Sequence, residues 1–150
     1  MSMIVLLDAG PLGLVTNPKA TPKAKACHEW LEALLSKGVL VQIPEITDYE
    51  VRRELLRANR TASVDRLDTL KQALGYVPLS TPVMLKAAEF WAQMRREGRP
   101  TADDKALDGD VILAAQSTVL GQNGEEVVIA TTNVGHLSRL VSAYTWQEIN

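Results

Sequence analysis

Residues 4–13 read IVLLDAGPLG. Ile4 to Leu7 run without a polar interruption, and the chain then presents Asp8, Gly10 and Pro11. A continuous apolar run, partly β-branched and stopped by Gly and Pro, reads as a short strand buried on both faces, Met3–Leu7. Such a strand belongs in a parallel sheet covered by helices, because a sheet with one wet face would alternate apolar with polar residues. The strand delivers its carboxylate at its C-terminal end, where open α/β sheets bind ligands. Asp8 therefore has two readings: a cap or turn former after a strand, and one corner of a site.

The rest of the chain repeats the pattern. Ala20–Lys37 reads as a helix with Trp30, Leu31, Leu34 and Leu35 on one face, ended by Gly38. VLVQIP at 39–44 is a second buried strand. Glu45–Ala58 is helical, with Tyr49, Leu55 and Leu56 toward the core. Ser63–Leu74 is a helix closed by Gly75. YVPL at 76–79 contains a proline and belongs at a sheet edge. Thr81–Glu97 is a helix with Leu85, Ala88, Trp91 and Ala92 inward. Asp108–Leu120 contains the strand-like VILAA, but its alanines and its length favour a buried helix. VVIAT at 127–131 is a strand, followed by Thr132 and Asn133, and AYTW at 143–146 is a last one. Strands alternating with helices give an α/β fold with a central, mostly parallel sheet flanked by helices.

The 150 residues suit one domain, 1–150, and 46% apolar content builds one core. A net charge of -2 removes any global attraction to nucleic acid, so such binding needs a local basic patch. Cys27 is the only cysteine, which excludes an intramolecular disulfide and a thiolate metal cage. A reducing, cytoplasmic setting is expected. The N-terminal apolar run lacks a preceding Lys or Arg and is interrupted by Asp8, unlike a signal peptide. No run approaches the roughly 18 apolar residues of a membrane helix.

Carboxylates recur near strand ends and helix starts: Asp8, Glu45, Asp48, Glu50, Glu54, Asp103, Asp104, Asp108 and Asp110. Most have structural roles. Glu54 can pair with Arg57 three residues on. Thr101 and Asp104 have capping-box spacing. Asp108 and Asp110 flank Gly109 at the expected start of a buried helix, where one cap suffices. A strand-end Asp8, a helical Glu50 and Asp110 could converge at one sheet edge. Crowded carboxylates repel and take up protons unless a cation compensates. Oxygen donors select a hard ion, Mg²⁺ or Mn²⁺.

These segments, taken in order, resemble the PIN-domain family of VapC-like toxin ribonucleases. IVLLDAGPLG resembles the opening strand with its first Asp. ITDYEVRREL at 46–55 resembles the segment that supplies the second acid, Glu50. DVILAAQS at 110–117 resembles the segment of the third acid, Asp110. ATTNVGHL at 130–137 resembles the strand end that closes the site. The resemblance implies a PIN-like three-layer α/β/α fold. It implies a Mg²⁺- or Mn²⁺-dependent endoribonuclease in which Asp8, Glu50 and Asp110 hold the ion, directly or through water, and an activated water attacks phosphorus. It also implies a homodimer and the toxin role of a toxin–antitoxin pair, restrained by an antitoxin protein.

Two positions depart from the family pattern. Ala9 replaces a common Ser or Thr, removing a hydroxyl near the metal or phosphate. His136 stands at the fourth acidic position. It either contacts phosphate, ligates as a neutral imidazole, or is a plain turn or helix-start residue. Asn133 likewise is a fourth-position group or a turn former. Asp108 is a candidate to replace the lost acid. RNA approaching an acidic pocket needs basic residues at the rim, and Arg52, Arg53 and Arg57 lie on the Glu50 helix, with Arg95, Arg96 and Arg99 as a second cluster. Trp30, Trp91 and Trp146 are read as core. The alternative reading is a catalytically weak PIN fold that binds RNA or a partner protein, which His136 favours. An aspartyl-phosphate enzyme of the Asp-x-Asp type is disfavoured by Asp8-Ala9-Gly10, and no phosphate-binding P-loop is present.

Overall fold

The computed structural model describes residues 3–97 and 104–150. Its elements are β1 Met3–Leu7, α1 Ala9–Thr16, α2 Pro22–Ser36, β2 Leu40–Pro44, α3 Glu45–Arg57, α4 Thr61–Leu74, β3 Tyr76–Val77, α5 Thr81–Arg96, α6 Asp104–Leu120, β4 Glu126–Thr131, α7 Leu137–Leu140 and β5 Ala143–Thr145. The strands form one parallel sheet in the order β3-β2-β1-β4-β5. β1 is the central strand, with Val5 beside Val41 on one flank and Val128 on the other. β3 is at an edge, and it stops at Val77, before Pro78, so it is shorter than the expected 76–79.

Successive side chains of β1 point to opposite faces, and both faces are covered. Val5 and Leu7 pack with Leu12, Cys27, Leu31 and Leu67 from α1, α2 and α4. Ile4 and Leu6 pack with Leu113 and Ala114 of α6 and with Leu137 of α7. A further layer joins Val83, Ala87 and Met94 of α5 to Leu107, Val111 and Ala115 of α6. Leu6 and Leu7 are wholly buried, which explains the uninterrupted apolar run.

Three expectations are corrected. The Gly-Pro pair after Asp8 is not a turn: α1 starts at Ala9, directly after the strand. Pro11 lies in its first turn, where the missing N–H has no helical partner to lose. Gly10 is required there because a Cβ would stand 2.5 Å from Thr132 Cγ2, so α1 can begin against the end of β4 only without a side chain. The α5 face is rotated: Val83, Ala87 and Met94 are buried, while Leu85 and Trp91 are 65% and 40% exposed. Both rows have helical spacing, and packing on α6 selects between them. On α3, Tyr49 and Leu56 are exposed and Ile46 and Val51 face the core. The capping box from Thr101 to Asp104, and Arg99, fall outside the described residues and side chains.

α3 and α6 are tied together by one side chain. Gln116 is fully buried on α6. Its Oε1 accepts from Ile46 N at 3.3 Å, and its Nε2 donates to Val77 O at 2.7 Å. The first N–H groups of a helix lack intrahelical acceptors, and the Pro44 cap offers no side chain to α3. Replacing Gln116 by Leu would strand the buried Ile46 N–H and the part-buried Val77 carbonyl. We expect a loss of about 2–4 kcal/mol in urea denaturation. A loss under about 0.5 kcal/mol would show that water replaces the amide.

Candidate active site

Asp8 leaves the C-terminal end of β1 and caps α1. Its Oδ1 accepts from Ala9 N at 2.7 Å. Its Oδ2 accepts from the Thr131 hydroxyl at 2.7 Å. The cap reading of this residue therefore holds, and the same two bonds fix the orientation of its carboxylate. Thr131 ends β4, is buried, and its hydroxyl also accepts from Asn133 N at 3.1 Å. Asp8 thus receives a hydroxyl from the neighbouring strand rather than from residue 9. The strand-end position of Thr131 marked it in the sequence; its bond to Asp8 did not.

Glu50 on α3 and Asp110 on α6 are half-buried and face the same region. Burial pushes the Glu50 carboxyl up, the negative charge of Asp8 adds to this, and Arg53 opposes it. Burial, then Asp8 and then Glu50 push Asp110 up to about 7. Glu50 thus feels the charge of Asp8, and Asp110 feels the charge of both. Among the described residues, no three acidic, histidine or cysteine side chains converge closely enough to cage a metal alone. Mg²⁺ commonly takes one or two carboxylates and keeps several waters, so such an ion here would be held partly through water. An all-oxygen donor set of three acids is the chemistry that suits such an ion.

Other predicted residues are placed elsewhere. Asp108 does not sit at the helix mouth, because α6 begins four residues earlier. It lies about 200° around the helix from Asp110. It is exposed in a groove with Met84, Ala87 and Trp91 of α5, away from the acidic cluster. Asn133 forms a local turn, its Oδ1 accepting from Gly135 N at 3.1 Å, and reaches Asp8 only through Thr131. His136 stands at the start of α7 and makes no side-chain cap.

The arginines divide in the same way. Arg52 is engaged with Asp48 at 2.9 Å and Asp68 at 2.7 Å, bracing α3 against α4. Arg57 pairs with Glu54 at 2.9 Å, as its spacing suggests. Arg53 is fully exposed, stacks on Tyr49 at 5.0 Å and lies close enough to Glu50 to lower its pKa. Cys27 is buried, and burial pushes its thiol up to about 12, which makes it unreactive. Trp146 is core and meets Trp30 edge-on at 5.6 Å, whereas Trp91 is exposed beside Arg95, contrary to expectation.

No family model matches the sequence, and no curated protein matches it. Solved structures do. A chain of VapBC2 from Rickettsia felis, solved bound to a DNA fragment from the promoter, superposes with a TM-score of 0.75 at 16% identity, covering 96% of this chain and 99% of that one. A chain of VapBC-1 from nontypeable Haemophilus influenzae gives 0.72 at 16% identity, covering 97% and 100%. FitAcB from Neisseria gonorrhoeae gives 0.70 at 19% identity, covering 97% and 99%. The likeness is one of fold over nearly the whole of each chain: the protein has the PIN-like three-layer α/β/α architecture. Among the described residues no helix is long and apolar enough to cross a membrane.

Proposed function

We propose that this protein is a Mg²⁺- or Mn²⁺-dependent endoribonuclease, acting as the toxin of a toxin–antitoxin pair. The activity reading is supported by the electrostatic influence of Asp8 on Glu50 and of both on Asp110, and by the seating of Glu50 against Gly109, the residue before Asp110. The toxin role is supported by the fold neighbours, which come from VapBC complexes. Its partners in this reading are RNA, an antitoxin chain and a second copy of this chain.

The residues divide the work. Asp8, held by Ala9 N and Thr131, is the fixed ligand; Glu50 and Asp110 complete the oxygen set from two helices. A bound ion would supply positive charge to the phosphoryl oxygens and lower the pKa of the attacking water. By offsetting the charge of these acids, such an ion would let the RNA backbone enter an otherwise repulsive pocket. Arg53, exposed beside Glu50, meets a phosphate at the rim. No side-chain nucleophile is needed, consistent with the inert Cys27.

The decisive test is cleavage of mixed RNA with and without Mn²⁺. Cleavage only with metal supports the reading, and metal-independent cleavage or none at all defeats it. RNA affinity should fall as salt rises, and Arg53→Glu should weaken binding about tenfold or more and flatten that salt slope. An unchanged slope would remove Arg53 from the interface. Tight RNA or protein binding with no cleavage would favour the binding-module alternative.

A further inference from the structure

Glycine is a poor helix residue, yet Gly109 sits buried inside α6, directly before Asp110. Its backbone is not in the left-handed region that would demand glycine. Alanine would therefore suit the helix better, unless something occupies the space of its side chain. A Cβ at position 109 would lie 2.5 Å from Glu50 Oε2, 3.2 Å from Glu50 Cδ and 3.6 Å from Oε1. The other glycine within an α-helix away from contacts, Gly13 on α1, would place a Cβ with nothing inside 4 Å.

We propose that Gly109 is a positioning residue for Glu50: the missing side chain is the seat in which the Glu50 carboxylate rests against α6, beside Asp110. This rests on the acidic cluster being a metal site. A methyl group there leaves α6 helical but pushes away the end of a flexible side chain. The fold survives, while Glu50 leaves the cluster. The glycine and the acid it precedes thus form one device, one residue admitting the second acid and the next residue supplying the third.

The test is a double-mutant cycle on the metal-free protein followed by Mn²⁺ titration. In a Glu50→Ala background, Gly109→Ala should raise Tm by about 2–4 °C, the normal gain of alanine in a helix. With Glu50 present, the same substitution should give no rise or a fall. Equal shifts in both backgrounds would overturn the proposal. In the titration, Gly109→Ala should weaken Mn²⁺ binding about tenfold or more, and the control Gly13→Ala should leave it unchanged. Coupling to Glu50 with native Mn²⁺ affinity would reduce Gly109 to a packing residue and overturn the positioning role. If the native chain binds no Mn²⁺, the metal reading fails; coupling in the cycle would then still support the seating of Glu50 by Gly109.

Discussion

Asp110→Asn is expected to abolish RNA cleavage, by about a thousandfold or more, while making the metal-free protein more stable at pH 8. The two effects have one cause. Asp110 is half-buried beside Asp8 and Glu50, and is pushed up from 3.8 to about 7 by burial and by their charge. A carboxyl raised in the folded state favours folding while protonated. That contribution is complete below its unfolded value of 3.8 and is lost as pH rises through about 7. The full displacement corresponds to roughly 4 kcal/mol. The group retains some contact with water, which screens the repulsion, so about 1–2 kcal/mol is expected, or about 3–6 °C in Tm. The gain of the Asn variant should vanish near pH 4, where the native acid is protonated. Saturating Mn²⁺ should stabilise the native chain and not the variant. An acid held by a structural ion pair would behave oppositely, and a destabilised Asn variant at pH 8 would sink this account.

Thr131→Val should damage both the fold and the acidic site, although Thr131 is not itself one of the acids. The hydroxyl donates to Asp8 Oδ2 at 2.7 Å and accepts from Asn133 N at 3.1 Å, in a buried position. Valine keeps the shape and loses both bonds. A hydrogen bond to a charged group contributes about 1.5–3 kcal/mol, so a stability loss of that order is expected at pH 7. Freed to rotate, Asp8 should bind Mn²⁺ about 10–100-fold more weakly. Thr131→Ser keeps the hydroxyl and should retain most of the affinity, which separates the hydrogen bond from β-branched packing. Native Mn²⁺ affinity in the valine variant would show that the Ala9 N–H alone orients the carboxylate.

Much of this architecture was legible because its signals are local. Uninterrupted apolar runs at Ile4–Leu7 and Val127–Ala130 mark strands buried on both faces, and Leu6, Leu7, Ile129 and Ala130 are wholly buried. Gly38 and Gly75 follow α2 and α4 at positive φ, where chain reversal favours glycine. Pro78 in YVPL marks where the short edge strand β3 ends. The order of Asp8, Glu50 and Asp110 along strand, helix and helix was also readable, and burial and mutual charge join those three in the fold.

What was misread involved a choice that only a neighbour makes. AGPLGLVT offers Gly and Pro as turn formers, and α1 exists because Gly10 lets it start against Thr132. Asp108 and Asp110 look equivalent on paper, but helix phase sends them to opposite sides of α6. Arg52 and Arg53 are adjacent and equally basic, yet Asp68 and Asp48 take one and leave the other exposed beside Glu50. The sequence by itself determined the elements, their α/β alternation and the positions of three acids, because apolar period and turn chemistry act over a few residues. Packing in three dimensions settled the contacts around them: Thr131 on Asp8, Gly109 beneath Glu50, and Gln116 joining α6 to the start of α3. Their partners lie 123, 59 and 70 positions away, and only closure of the sheet and packing of the helices bring such groups into contact.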